Sequence, residues 1–105
     1  MTRKDIIRYA SEKTGLSRGD VAAVLKAILE GMEDELLRGG EVALRGFGMF
    51  RLKYQRPRKG RLIRTGQTIT IPARLKLAFE PSEKLQARLQ ADQGLLKRFE
   101  AKRRA

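Results

Sequence analysis

Between Val42 and Phe79 the chain carries ten basic side chains and no acidic one. Ten like charges without a counter-charge repel each other, so this stretch resists closing into a compact body. It makes most physical sense laid against a polyanion. The flanks differ. Residues 1–41 hold seven basic and eight acidic groups, and residues 80–105 hold seven and four, within a formal net charge of +12. Solubility requires no such segregation. Nucleic acid is the expected partner, with an anionic membrane or an acidic protein as alternatives.

Composition narrows the chemistry. With 105 residues the chain has room for one small domain, and 41% hydrophobic residues suffice for a core. It has no Cys and no His. Disulfides, thiolate metal sites and cysteine nucleophiles are excluded, and the usual zinc ligand and neutral-pH general base are missing. No Gly-x-x-x-x-Gly-Lys phosphate loop occurs. We therefore expect no enzyme, no cofactor, no metal and no small-molecule substrate. No run approaches the ~20 apolar residues of a membrane span, and the start lacks the apolar run of a signal peptide. The expected partners exclude membrane, and the expected location is the cytoplasm, wherever the DNA lies.

Two helices open the chain. Thr2 is placed to cap the first, with Asp5 as the capping-box acid, and Gly15 stops it near Thr14. Ile6, Ile7 and Ala10 form its apolar face. Ser17 and Asp20 repeat the signal. Val21, Val24, Leu25, Ile28, Leu29, Met32, Leu36 and Leu37 then recur at spacings of three and four, ended by Gly39 and Gly40. The spacing predicts helices over 3–14 and 18–38. Gly31, inside the second, costs about 1 kcal/mol against alanine. It is explained if another element, the first helix or a second subunit, comes close there.

From residue 41 the period becomes two. Val42 and Leu44 alternate with Ala43 and Arg45, Gly46-Phe47-Gly48 makes a turn, and Met49 to Tyr54 resumes as a strand. Phe50, Leu52 and Tyr54 fall on one side, Arg51 and Lys53 on the other. Residues 55–76 are polar and basic, and read as a two-stranded ribbon on either side of Arg61–Gly66, interrupted at Pro72. Such a ribbon has too little apolar surface to be stable alone and is expected to order on its target. Leu75, Leu77 and Phe79 lead back to the body. Ser82 caps a third helix with Leu85 and Leu89 on one face, and Gly94 is placed to end or weaken it. Gln90 to Phe99 can prolong that helix.

One copy is not enough. The second helix has eight large apolar side chains, and the first offers two isoleucines and an alanine to cover them. Each burial contributes roughly 1.5–3 kcal/mol, and the exposed remainder would be adhesive. A symmetric dimer lets the stripe cover itself. A homodimer is expected, with a heterodimer open. Two arms can then reach around a duplex. Arg56, Arg58, Lys59, Arg61 and Arg64 are placed to pair with phosphates. Arg51, Lys53, Arg74 and Lys76 lie at the arm's base as a basic saddle, and Arg45, by the hairpin turn, is a further candidate phosphate contact. Phosphate contacts carry little sequence information, so weak specificity and a preference for deformable DNA follow.

Gly46-Phe47-Gly48-Met49-Phe50, Arg58-Lys59-Gly60-Arg61, Thr65-Gly66, Ile71-Pro72-Ala73 and Phe79-Glu80-Pro81, with Lys13-Thr14-Gly15-Leu16-Ser17 before them, occur in an order and spacing that are specific together. On these residues the chain resembles the bacterial histone-like HU and integration host factor family over about residues 3–90. The resemblance implies an α+β fold: an intertwined dimer with a helical base, a β-sheet saddle and two β-ribbon arms. It places the domain at residues 1–90, the arm at about 55–76, and a basic extension at 91–105. It implies an architectural DNA binder that bends and compacts duplex through the minor groove. A site-selective bending factor of the integration-host type, or a module for RNA or an acidic protein, stands as the alternative. Phe47, Phe50 and Phe79 are expected in the dimer core, with Met32 from the second helix. The family's arm tip commonly has a proline that wedges between base pairs. Here the tip reads Arg61-Leu62-Ile63-Arg64-Thr65-Gly66, so Ile63 takes the wedge position. In the extension, Lys97, Arg98, Lys102, Arg103 and Arg104 are either phosphate contacts or a solvated end.

Overall fold

The computed structural model describes residues 1–104, with the side chain of Arg104 and all of Ala105 outside the description. The chain forms two units, Met1–Gly39 and Gly40–Ala105.

In the first unit, α1 (Arg3–Thr14) packs along α2 (Arg18–Leu37). The expected capping box is present at α1. The Thr2 hydroxyl accepts from the Asp5 backbone N–H, and an Asp5 carboxylate oxygen accepts from the Thr2 N–H at 2.8 Å. Gly15, at φ +77°, closes the helix. The Ser17 hydroxyl accepts from Asp20 N–H at 3.1 Å and starts α2. Val21 is buried and Leu25, Leu29 and Met32 are half-buried. Val24 and Ile28 remain 54% and 52% exposed. The short apolar face of α1 covers part of the α2 stripe and leaves a second part bare. A Cβ built on Gly31 would meet nothing within 4 Å. Among the described residues nothing fills the space that this glycine leaves, so the first helix does not account for it.

In the second unit, β1 (Val42–Leu44), β2 (Gly48–Gln55) and β5 (Arg74–Pro81) form an antiparallel sheet in the order β1-β2-β5. Phe50 pairs with Phe79, Leu52 with Leu77, Tyr54 with Leu75, and Val42 with Phe50. One face therefore collects Val42, Leu44, Phe50, Leu52, Tyr54, Leu75, Leu77 and Phe79. The Phe79 ring lies 4.8 Å from Phe50 and 5.4 Å from Phe47 between centroids, a spacing typical of tilted aromatic packing. Gly48 is buried beneath it. A Cβ there would stand 2.6 Å from the Phe79 ring and from the Glu80 carbonyl oxygen. Glycine is needed at that position for close approach as much as for the turn.

Beyond the sheet, β3 (Arg58–Arg61) and β4 (Thr68–Ile71) form a separate two-stranded ribbon. The register is continuous: Gln55 pairs with Arg74, and three residues on Arg58 pairs with Ile71. Counting through the gap sets Pro57 opposite Pro72. Neither has an N–H to donate, so the ladder stops on both strands together.

After β5, Ser82 caps α3 (Glu83–Ala91), and its backbone N–H and hydroxyl donate to the Phe47 and Gly46 carbonyls. The helix does not continue to Phe99, nor does Gly94 end it. The break comes at Asp92, followed by α4 (Gln93–Arg104). The Asp92 carboxylate accepts from Leu95 N–H at 3.0 Å. A new cap outweighs continuation, and Gly94 lies harmlessly in the first turn of α4.

Candidate nucleic-acid interface

The second face of the sheet follows from the same register. Alternation puts Arg51, Lys53, Gln55, Arg74, Lys76 and Glu80 opposite the apolar face. Lys53 pairs directly with Lys76. Like charges across an antiparallel pair are destabilising unless something between them is negative. Arg74 donates to the Gln55 side-chain oxygen at 2.6 Å, which holds its guanidinium at the root of the ribbon. Arg51 is differently engaged. Its Nε lies 3.5 Å from a Glu80 carboxylate oxygen, an ion pair without the alignment of a hydrogen bond. Its terminal nitrogen contacts the Met49 sulfur at 3.0 Å. Of the expected saddle, then, Lys53, Lys76 and Arg74 stand together, while Arg51 has an acid of its own chain.

At the root, Gln55, Arg56, Arg58, Ile71, Pro72 and Arg74 line a notch of about 270 Å³. Further out, Lys59 and Arg61 share a face with Thr68 and Thr70, while Arg58 and Gly60 share the other with Ile69 and Ile71. A Cβ on Gly60 would lie 2.9 Å from the Ile71 side chain. The missing side chain lets the isoleucine fold across the ribbon and give it a small apolar seam. Sequence inspection saw Gly60 only as part of a basic run. The signal lay in its diagonal neighbour on the facing strand, available only with the register.

The tip is closed by Leu62, whose N–H donates to the Gln67 carbonyl and whose carbonyl accepts from Gly66. Ile63, Arg64 and Thr65 stand outside that pairing, and Ile63 is wholly exposed. Arg45 is not brought to this group. It lies in the turn between β1 and β2, at the end of the sheet away from the ribbon. Phe47, Phe50 and Phe79 cluster as described, while Met32 is half-buried in the first unit. Arg104's side chain lies outside the described residues. Among the described residues no three acidic side chains converge as a metal site, and no helix is long and apolar enough to cross a membrane.

Residues 1–90 match the sequence profile of a family described as "Bacterial DNA-binding protein". The chain belongs to this family. Among its relatives, integration host factor subunit alpha of Haemophilus influenzae is 39% identical over 90 residues, covering 86% of this chain and 94% of the relative. DNA-binding protein HU-1 of Halalkalibacterium halodurans is 38% identical, covering 81% and 94%. The structure of Anabaena HU in a DNA cocrystal superposes with a TM-score of 0.78 at 27% identity, covering 87% of this chain and 99% of that one. The fold of this family member is thus α+β and HU-like, as the sequence resemblance implied.

Proposed function

We propose that this family member is a non-enzymatic architectural protein that binds duplex DNA with low sequence specificity and bends and compacts it as a dimer. One observation carries this: a single sheet has an apolar face and a cationic face, and its strands run on into a ribbon with basic side chains and no acid. On the apolar face Tyr54 and Leu75 are each 65% exposed and Leu77 is 52% exposed. Covering the exposed part of each contributes roughly 0.8–2 kcal/mol, and a symmetric copy offers the matching surface. Phe47, Phe50 and Phe79, with Met32 of α2, serve that dimer core. The bare α2 residues Val24 and Ile28 support the same pairing.

The cationic face supports a saddle for the duplex. Lys53 and Lys76 take a phosphate between them, Arg74 a second, and Arg51 joins by leaving Glu80. Each ribbon lies in the minor groove, about 6 Å wide. Lys59 and Arg61 meet phosphates from one face, and Arg56, Arg58 and Arg64 from the notch, the other face and the tip. Ile63 wedges between base steps at the tip. Arg45, remote from the ribbon, meets the backbone outside the saddle. The protein works in the cytoplasm on the nucleoid.

Relatives named as integration host factor subunits favour a second reading, site-selective bending with a different partner subunit. Titration of the protein onto straight, nicked and random duplexes, with salt varied and mass measured alongside, tests both. A specificity ratio above ~1,000 against random duplex supports site selection. Absence of duplex binding at low salt refutes both.

A further inference from the structure

The family match ends at residue 90, and α4 lies wholly beyond it. The two relatives above are matched over 94% of their own lengths while covering 86% and 81% of this chain. It is a formed element all the same. Asp92 leaves the helical conformation at ψ 89° and restarts a helix with its own carboxylate. α3 is its main tertiary neighbour. A helix of 12 residues is marginal in water by itself, so α4 gains most from a partner.

The surface of α4 says which partner. Lys97, Arg98, Lys102 and Arg103 are exposed, Glu100 is the single acid of the helix, and among the described residues no carboxylate pairs with these cations. Leu95, Arg98, Phe99 and Lys102, at helical spacings of three and four, line one cleft of about 390 Å³. A membrane-surface helix presents a broad unbroken apolar face. Here Arg103 falls between Phe99 and Leu96 around the helix, at 100° per residue, and interrupts it. The apolar strip is bordered by Lys102 and Arg98 on one side and by Glu100 and then Lys97 on the other, with Arg103 inside it; four cations against one acid fit a polyanion.

We infer that α4 is a second grip on the DNA backbone, separate from the ribbon, that takes phosphates flanking the ribbon-bound segment on Lys97, Arg98, Lys102 and Arg103. The inference rests on the duplex reading above. Nine residues of α3 carry the chain about 14 Å from Ser82, and twelve residues of α4 extend about 18 Å more. At 3.4 Å per phosphate along one strand, α4 spans roughly five base pairs.

The test compares the full chain with a variant bearing Lys97→Gln, Arg98→Gln, Lys102→Gln and Arg103→Gln. Glutamine keeps the helix propensity of these exposed positions, so thermal melts of the two proteins should coincide. The variant is expected to bind duplex with a salt slope lower by up to about 3.6 per chain, 0.9 for each lost phosphate. Its protected footprint is expected to shrink by roughly five base pairs on each flank. Helical circular dichroism should rise when duplex is added to the wild type and rise less in the variant. Equal slopes and footprints, with both proteins bound, overturn the inference and leave the duplex reading intact. Failure of both proteins to bind duplex overturns that reading and this inference together. Loss of binding only to phosphatidylglycerol vesicles assigns the helix to lipid, and a halved sedimentation mass assigns it to the subunit interface. Either result overturns the grip.

Discussion

Lys53 and Lys76 face each other across β2 and β5 with no acid between them. Directly paired residues have Cβ atoms about 5 Å apart. The exposed ammonium groups can splay to ~6.5 Å, where repulsion in water is about 0.6 kcal/mol. Replacing Lys53 with glutamine should therefore stabilise the free protein by about that much per chain. For a domain of this size the melting temperature should rise by roughly 2–5 °C. Both proteins must be melted at one chain concentration, because dimerisation makes the midpoint concentration-dependent. The gain should fade in ~1 M salt, where the Debye length is about 3 Å. On duplex the same substitution should act oppositely, weakening binding and lowering the salt slope by about 0.9 per chain. Stabilisation and loss of DNA affinity from one substitution are the signature of a charge pair held apart for a phosphate. A variant that melts unchanged at low salt, or binds duplex with an unchanged slope, refutes the account.

Gly48→Ala should cost about 1–3 kcal/mol through overpacking, because its Cβ would stand 2.6 Å from the Phe79 ring and the Glu80 carbonyl. Thermal melts should drop by several degrees while the salt slope of the folded fraction stays the same. Ile63→Ala should reduce the bend angle more than the affinity, since the side chain is wholly exposed and carries no charge; fluorescence transfer across a labelled duplex reads the angle, and equal bending defeats the wedge. The Thr2 backbone N–H, then its hydroxyl, hold the Asp5 carboxyl below its ordinary value of 3.8. A lowered folded value adds stability that is present above the ordinary carboxylate range and is lost as pH falls through the lowered value. Wild-type melts should lose this increment below about pH 4, and Asp5→Asn should not.

Features that depend on near neighbours were legible in the sequence. Thr2, Ser17 and Ser82 cap helices because a hydroxyl needs only the N–H three residues on, and the glycine-framed Phe47 marks its own hairpin turn. Features that depend on pairing were not. That Lys53 meets Lys76, that Pro57 stands opposite Pro72, and that Gly60 lies under Ile71 all follow from one register, which alternation leaves undetermined by steps of two. The engagement of Arg51 by Glu80 was hidden for the same reason, since both fall in strands separated by the whole ribbon. Asp92 was overlooked because Gly94 is the stronger breaker by propensity, whereas an aspartate cap acts by starting a helix and so ends the one before it.

Alternation in β2 links the two halves of the proposed mechanism. Phe50, Leu52 and Tyr54 occupy one face and Arg51, Lys53 and Gln55 the other, so any slip of β2 by one residue would put cations into the subunit interface and aromatics under the duplex. The fold guards against this at the end of the strand remote from the ribbon. Gly48 admits only the Phe79 ring above it, and the ring is held between Phe47 and Phe50. At the other end the paired prolines interrupt the ladder between sheet and ribbon. On the proposed mechanism, a register-locked sheet would keep the subunit contact fixed while a ribbon hinged at the prolines adjusts to a bent groove. Gly48 and Phe79 would then set dimer stability, and Pro57 and Pro72 the freedom of the ribbon.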